Sequence, residues 1–178
     1  MKRSLIWIML MVATSFVTAE ASTAWVMDYM PSDKYESGIG FGVYDFRDES
    51  YGYYGSVHVS ITATENYYDF LNVNSFGDPV TDRFEEIMIF DVGLTRKLTS
   101  NVDGYAGIGM AFVEGYAEKY DSTFTLSVDG KYVVPDTEND RSGGNINIGL
   151  MFSIDSLTLN VGIHSYTKSA YLGLGFMY

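Results

Sequence analysis

The chain has 178 residues, of which 16% are aromatic and 19% are charged, and it contains 18 glycines, 3 prolines and no cysteine. A composition this rich in aromatic residues and poor in charge excludes a disordered chain, and the lack of cysteine excludes a disulfide scaffold and cysteine-based metal sites. The 23 acidic and 11 basic residues give a net charge of −12, which makes a nucleic-acid partner improbable. The length suits one domain, or two small ones at most.

The N-terminal segment has the layout of a cleaved secretory signal. Two basic residues precede an unbroken apolar run over 5–13, and the segment ends in the small-residue pattern Ala19–Ala21. The run is far shorter than the roughly 20 apolar residues that a membrane-spanning helix needs. We therefore expect a signal peptide over 1–21, cleaved after Ala21, and a mature domain over 22–178. A secreted chain without cysteine fits a bacterial envelope protein.

The mature chain alternates apolar residues with small or polar ones at period two, which is the pattern of β-strands. The pattern is weakest in the first segment and clearest in the last, where Leu172, Leu174 and Phe176 share one face and Gly173 and Gly175 share the other. No stretch has convincing helical periodicity. Eight strands are predicted, over 22–30, 38–46, 53–63, 86–98, 103–116, 144–154, 157–165 and 169–178.

The second face of these strands is rich in Gly, Ser, Asn and Thr and nearly free of Lys and Glu. Water-exposed strand faces usually carry long charged side chains, so small polar residues indicate a narrow, crowded interior, with the apolar face turned to lipid. The connections alternate between short and long, and two of the long ones exceed 20 residues. Together these features predict an all-β fold, an eight-stranded antiparallel up-and-down transmembrane β-barrel.

Two segments leave alternatives open. The first strand contains Asp28 and is followed by Pro31, and without it the count would fall to seven. Within the long connection, Asp129-Gly130 lies between alternating apolar residues over 123–134, which predicts a hairpin that extends beyond the membrane. Counted as barrel strands instead, this hairpin would give ten.

The last strand carries a resemblance to a known group. Gly173, Phe176 and Tyr178 match the terminal assembly signal of small Gram-negative outer-membrane β-barrel proteins, the OmpA/OmpX-like group. The stretches Tyr105–Gly109 and Leu172–Phe176 also resemble strands of that group. The resemblance implies an outer-membrane location, recognition of these three C-terminal residues by the assembly machinery, and a structural or surface-interaction role without catalysis.

The two histidines are candidates for chemistry. His164 is expected to face inward at the outer end of the seventh strand, with Ser165 beside it in the chain and Asp91 elsewhere in the lumen. Barrels that resemble lipid A deacylases use a Ser/His/acid set, but adjacent residues of a strand point to opposite faces, so this pair departs from that pattern. A lipid-modifying enzyme is therefore the alternative function, and a packed interior histidine is the favoured interpretation.

The other inward-facing polar residues are interpreted as structural. His58 is expected among Ser56, Ser60 and Thr62, and Asp91 and Lys97 are expected to share an interior polar network. No catalytic, cofactor-binding or metal-binding residue is predicted, and no cofactor.

The connections at 64–85 and 117–143 are acidic, and they are the predicted contact regions for an extracellular partner. Asp136, Glu138 and Asp140 could offer carboxylates to Ca²⁺, although the spacing fits no EF-hand and a solvated acidic loop is favoured. The expected surroundings are outer-membrane lipid and lipopolysaccharide, but acidic loops disfavour direct capture of anionic lipopolysaccharide or heparin without bridging divalent cations. A soluble lipocalin-like barrel is the remaining alternative, and it requires Leu172, Leu174 and Phe176 to point inward.

Overall fold

The computed structural model describes residues 22–32, 35, 37–47, 50–60 and 66–178. The predicted signal peptide and its cleavage after Ala21 lie outside these residues. Within the described ranges, no helix is long and apolar enough to cross a membrane. The elements found there are β1 (Ser22–Met30), β2 (Gly38–Phe46), β3 (Gly52–Ser60), β4 (Val80–Lys97), β5 (Val102–Tyr120), β6 (Lys131–Pro135), a 3₁₀ turn (Thr137–Asn139), β7 (Arg141–Ile154), β8 (Leu157–His164) and β9 (Ser169–Met177).

Eight of these strands close into one antiparallel barrel. Each pairs with its neighbours in the order β1-β2-β3-β4-β5-β7-β8-β9, and β9 returns to β1, where Trp25 lies opposite Phe176 and Tyr29 lies opposite Leu172. Closure satisfies the backbone hydrogen bonds of the first and last strands, as a span through lipid requires. The predicted eight-stranded fold is confirmed. The ten-stranded alternative is wrong, because among the described residues β5 is the only strand that pairs with β6, and it does so through its final residues.

The weakly patterned first segment is a full barrel strand. Asp28, the residue that interrupted its pattern, is buried on the inward face, where its carboxylate accepts a hydrogen bond from the Asn160 side chain at 2.7 Å. An inward acid is compatible with a polar lumen, so the apparent defect in the sequence is part of the interior.

The barrel has an apolar outer surface and a polar interior, as membrane-spanning barrels do. On β9, Leu172, Leu174 and Phe176 point outward with 54%, 61% and 67% of their surfaces exposed, and on β8 Asn160 and His164 are buried inside. An apolar exterior around a polar interior is the reverse of a soluble barrel. The lipocalin-like alternative is therefore wrong.

The two ends of the barrel differ in their connections. At one end, which we call the short-turn end, the strands are joined by residues 47–51, 98–101 and 155–156. At the other, the long-loop end, the larger connections include the whole segment between β5 and β7. This alternation agrees with the prediction, and it places the beginning of β1 and the end of β9 at the short-turn end.

Strands β4 and β5 are longer than predicted, and both extend beyond the long-loop end of the barrel. The sequence predicted 86–98 and 103–116, whereas the strands span Val80–Lys97 and Val102–Tyr120. Residues 80–85 and 117–120 lie above the apolar band, where neither face needs to match lipid. The period-two signal therefore fades before the strands end.

The centre of the lumen is filled by tyrosines. The ring of Tyr44 lies 5.1 Å from that of Tyr54 and 5.0 Å from that of Tyr105, and the hydroxyls of Tyr105 and Tyr171 are 2.7 Å apart. Small residues on the opposing wall make room for these rings: a Cβ at Gly162 would lie 2.6 Å from the Tyr105 hydroxyl. The interior is a packed core of side chains, as expected for eight strands.

Candidate functional site

A small sheet stands on the long-loop end of the barrel. It consists of the ends of β4 and β5 together with β6, and Tyr116–Tyr120 of β5 pair with Lys131–Pro135 of β6. We call this three-stranded structure, with the connection 66–79 that covers it, the outer sheet. Its own apolar cluster contains Ala117, Tyr132, Val134 and Leu71, separate from the core of the barrel. The outer sheet is therefore built as a packed unit.

A buried lysine fixes the connection 66–79 to the outer sheet. Lys119 is fully buried, and its Nζ donates hydrogen bonds to the carbonyl oxygens of Val73, at 2.9 Å, and Ser75. The Tyr132 hydroxyl donates to the carboxylate of Asp78 at 2.8 Å, and burial, followed by this hydrogen bond, raises the pKa of Tyr132. Two side chains of the sheet thus hold the second half of the connection in place.

The segment after β5 wraps around one carboxylate. Asp121 accepts hydrogen bonds from the backbone N–H groups of Thr123 at 2.8 Å, Thr125 at 2.7 Å and Leu126 at 3.0 Å, and from the Thr123 hydroxyl at 2.5 Å. These bonds, that of the Thr123 hydroxyl first, lower the pKa of Asp121 to about 2. Donors bound to the charged form favour it.

The prediction of a hairpin over 123–134 is wrong for its first strand, because residues 123–127 form no strand. The bonds to Asp121 fold residues 123–127 into turns, so β6 pairs with the end of β5 and not with this segment. The turn signal itself was correctly placed, since Gly130 has a φ of +75° and directly precedes β6.

The connections of the outer sheet expose large apolar side chains. Phe70, Phe76, Phe124 and Val128 are 75%, 69%, 54% and 99% exposed. Acidic side chains outnumber basic ones around them. Residues 66–86 and 113–141 together contain twelve Asp and Glu residues and four Lys and Arg residues. Exposed apolar groups with acidic neighbours can contact a partner that offers both apolar and basic groups.

The three acids considered for Ca²⁺ do not converge. Asp136 is buried and pairs with Arg83 at 3.1 Å, whereas Glu138 is exposed. The carboxylate of Asp140 instead accepts the backbone N–H of Gly115 at 2.9 Å. The loop is therefore solvated at 137–140, as favoured, but not at Asp136.

Both histidines face the lumen, as predicted, and they meet there. Their ring centroids are 4.6 Å apart, and each contacts the ring of Tyr171. Asp91 from β4 reaches His164, with 3.3 Å between Oδ2 and Nδ1, and Asp28 from β1 reaches His58, with 3.4 Å between Oδ2 and Nε2. The sequence placed Asp91 in this interior but missed Asp28, whose only signal was a charge on the inward face.

Asparagine side chains hold the two carboxylates. Asn145 donates to Asp91 Oδ1 at 2.7 Å, and Asn147 donates to Asp91 Oδ2 at 3.3 Å. The predicted polar network therefore exists around Asp91. Lys97 lies at the short-turn end of β4, half-buried and in register with Asp103.

The serine that an esterase-like site would need does not join this group. Ser165 is exposed, and its hydroxyl accepts the backbone N–H of Ile146 at 2.7 Å. In the described part of the chain, neither imidazole has a hydrogen bond to any serine. Thr62, expected near His58, lies outside the described residues.

The C-terminal strand presents the three residues of the assembly pattern on two faces. Phe176 and Tyr178 point outward, and the Tyr178 hydroxyl accepts the indole N–H of Trp25 at 2.9 Å. Gly173 faces inward against the carboxylate of Asp28, so a side chain there would displace it.

The fold is that of the small eight-stranded outer-membrane β-barrel proteins, the class to which OmpA/OmpX-like barrels belong. No protein-family model matches the chain, and no curated protein matches it. The chain is similar to solved structures at identities under 25%, and this similarity is one of fold.

Three solved structures of Ail, the attachment invasion locus protein of Yersinia pestis, are similar to this chain. Its crystal structure is 12% identical and covers 89% of this chain and 96% of its own, with a TM-score of 0.54. The match to its backbone structure in a phospholipid bilayer nanodisc has 16% sequence identity and a TM-score of 0.54. It covers 89% of this chain and 100% of the Ail chain. The match to a third structure, of Ail in complex with the heparin analogue sucrose octasulfate, has 13% sequence identity and a TM-score of 0.46. It covers 89% of this chain and 96% of the Ail chain.

Proposed function

We propose that the mature chain, beginning at Ser22, is an integral outer-membrane protein with a surface-contact role and no catalytic one. The apolar band around the closed barrel supports insertion in outer-membrane lipid. The short turns then face the periplasm, and the outer sheet stands outside the cell, among lipopolysaccharide. Gly173, Phe176 and Tyr178 serve the assembly machinery as its recognition signal.

The observation that carries the contact role is the construction of the outer sheet. The outer sheet contains a buried lysine, a carboxylate of Asp121 that accepts several hydrogen bonds, and an apolar cluster of its own, which a solvated loop would lack. These features hold the connections in one conformation, so that little ordering entropy is lost when a partner binds. Phe70, Phe76 and Phe124 are then the apolar contacts of that surface.

The charge of the outer sheet selects the chemistry of its partner. Polyanions such as sulfated glycans are repelled by the excess of acid, whereas a protein surface with basic and apolar side chains is attracted. The partner we propose is therefore a basic protein surface outside the cell.

Location is tested by fractionating cell envelopes and comparing the gel mobility of unboiled and boiled protein. We expect the protein in the outer-membrane fraction, with a heat-dependent shift, because a closed barrel stays compact in detergent until heated. A soluble periplasmic protein with no shift would contradict the proposal.

Contact is tested with the protein in phospholipid nanodiscs and two synthetic peptides of equal positive charge, one of Lys and Leu and one of Lys and Ser. We expect tighter binding of the Lys/Leu peptide, and loss of that preference in the variant Phe70→Ser/Phe76→Ser/Phe124→Ser. The control is Tyr51→Ser, which removes an exposed aromatic residue at the short-turn end. Equal peptide binding by wild type and the triple variant would refute the contact surface, whatever the membrane location.

A further inference from the structure

The histidine and aspartate cluster in the lumen has donor atoms that nothing in the described structure satisfies. His58 and His164 are buried, and both ring nitrogens of His58 and the Nε2 of His164 have no hydrogen-bond partner. The Oδ2 of the buried Asp28 has none either. Buried polar atoms are normally paired, so four such atoms in one cluster call for a specific explanation.

The charges of the cluster are also uncompensated. Asp28 and Asp91 are almost completely buried, and among the described residues no lysine or arginine forms an ion pair with either. The donors to their carboxylates are neutral asparagine amides. Burying a carboxylate without a countercharge is costly, and one divalent cation beside the two carboxylates would supply that charge.

The spacing of the donors fits such an ion. One ligand atom each from His58, Asp91 and His164 lies within 4.8 Å of the others. His58 Nε2 lies 3.4 Å from Asp28 Oδ2, and His164 Nδ1 lies 3.3 Å from Asp91 Oδ2. The Nδ1 of His164 is also hydrogen-bonded to the Asn145 and Asn147 amides, whereas its Nε2 has no partner. Two ligands of a tetrahedral zinc ion, each about 2.0–2.1 Å from the metal, are about 3.3 Å apart.

We propose that His58, His164 and Asp91 form a Zn²⁺ site inside the barrel, with the carboxylate of Asp28 beside His58. Two imidazoles and one carboxylate are a donor set that zinc accepts, with water as the fourth ligand. Asn145 and Asn147 donate hydrogen bonds to the carboxylate of Asp91 and hold it in place, as the supporting groups around a metal commonly do. The three ligands come from β3, β4 and β8, so the ion links strands that are not all neighbours in the barrel.

The chain is well suited to a direct test, because it contains only two histidines and no cysteine. Any zinc bound through an imidazole must therefore use His58 or His164. Metal-stripped protein is folded in detergent micelles with Zn²⁺ present, and in a second arm Zn²⁺ is added after folding. After desalting, bound zinc is measured by elemental analysis and its ligands by X-ray absorption spectroscopy.

We expect about one zinc per chain in the folding arm, with two imidazoles in its first coordination shell. The variant His58→Gln/His164→Gln should lose at least nine-tenths of that zinc. The control Glu138→Gln, which removes an exposed acid of the outer loop, should retain it. Heat-dependent gel mobility identifies variants that do not fold.

The wild-type measurement decides the matter even when a variant fails to fold. Absence of tightly bound zinc in both arms would overturn the proposal, as would zinc whose absorption spectrum shows no imidazole. Retention of zinc by the folded double variant would also overturn it and place the ion on the acidic outer loops. A bound ion should in addition lower the unfolding equilibrium constant about 100-fold when free zinc is 100 times its Kd.

Discussion

The barrel and the outer sheet are made from the same strands, β4 and β5, yet different forces hold them. In the barrel, the outward faces of these strands meet lipid, and the inward faces contact tyrosines and asparagines of other strands. In the outer sheet, the same strands rely on a few side chains that bind loop carbonyls and amides, chiefly Lys119 and Asp121. The closed part should therefore unfold as one unit, whereas the outer part can open by itself.

The largest effect should come from a single methyl group between β4 and β5. The Cβ of Gly107→Ala would lie 2.8 Å from the Cα of Gly93 and would also meet the carbonyl oxygen of Val92, both of them backbone atoms. We expect a loss of about 3 kcal/mol in the free energy of unfolding. Urea unfolding followed by gel mobility without boiling measures it.

The matched control is Gly144→Ala, where a Cβ would have no atom within 4 Å. Its free energy of unfolding should stay within about 0.5 kcal/mol of wild type. Equal losses in the two variants would contradict the close approach of β4 and β5.

A smaller loss should follow from removing one buried hydroxyl. Tyr105→Phe loses the hydrogen bonds to Asn160 Oδ1, at 2.8 Å, and to the Tyr171 hydroxyl, at 2.7 Å. Since the partners stay buried, we expect the free energy of unfolding to fall by about 2 kcal/mol. Tyr53→Phe, whose ring is exposed, should change it little, and a similar loss there would show that the lumen network is not the cause.

In the outer sheet, Lys119→Met should act locally. It leaves the carbonyl oxygens of Val73 and Ser75 without their charged donor, which costs the connection 66–79 about 1.5 kcal/mol and speeds its opening about tenfold. Hydrogen exchange of the Tyr68 amide, which donates to Val133, reports that opening. The urea midpoint of the barrel should not change.

The control is Lys131→Met, whose exposed ammonium pairs with Glu118 at 2.9 Å. Exposed ion pairs contribute little, so Tyr68 exchange should rise about twofold at most. If Lys119→Met lowered the urea midpoint as much as Tyr105→Phe, the separation of the two regions would be wrong.

The smallest effect is expected at low pH, around Asp121. Its pKa is lowered to about 2 in the fold, below the roughly 3.9 of an unfolded aspartate. A lowered carboxyl pKa means that the stabilisation is present above about pH 4 and is lost as the pH falls through about 2. The amide signals of Thr123 and Thr125 in NMR spectra should shift over this interval, and Asp121→Asn should abolish the pH dependence. A midpoint near 4 would contradict the hydrogen-bonded geometry.

The sequence predicts the barrel better than the outer sheet, because different forces hold the two regions. Where strands cross lipid, one face must be apolar and the other small, so the bounds of β1 and β2 could be read from the chain alone. Beyond the apolar band this requirement ends, and 80–85 and 117–120 gave no strand signal. The path of 121–130 was decided by Asp121, whose partners up to Leu126 bind through backbone groups that no side-chain pattern reveals.

The sequence by itself determined the inside-out polarity and the inward direction of both histidines, because the alternation and the size of the residues can be followed along each strand. It favoured eight strands over seven or ten, and the strand pairing decided that number. Only the tertiary structure decided which inward residues meet. A barrel gathers side chains from every strand into one narrow lumen, and the stagger between strands sets their heights. Asp28, His58, Asp91 and His164 lie far apart in the chain, and only closure of the barrel brings them together.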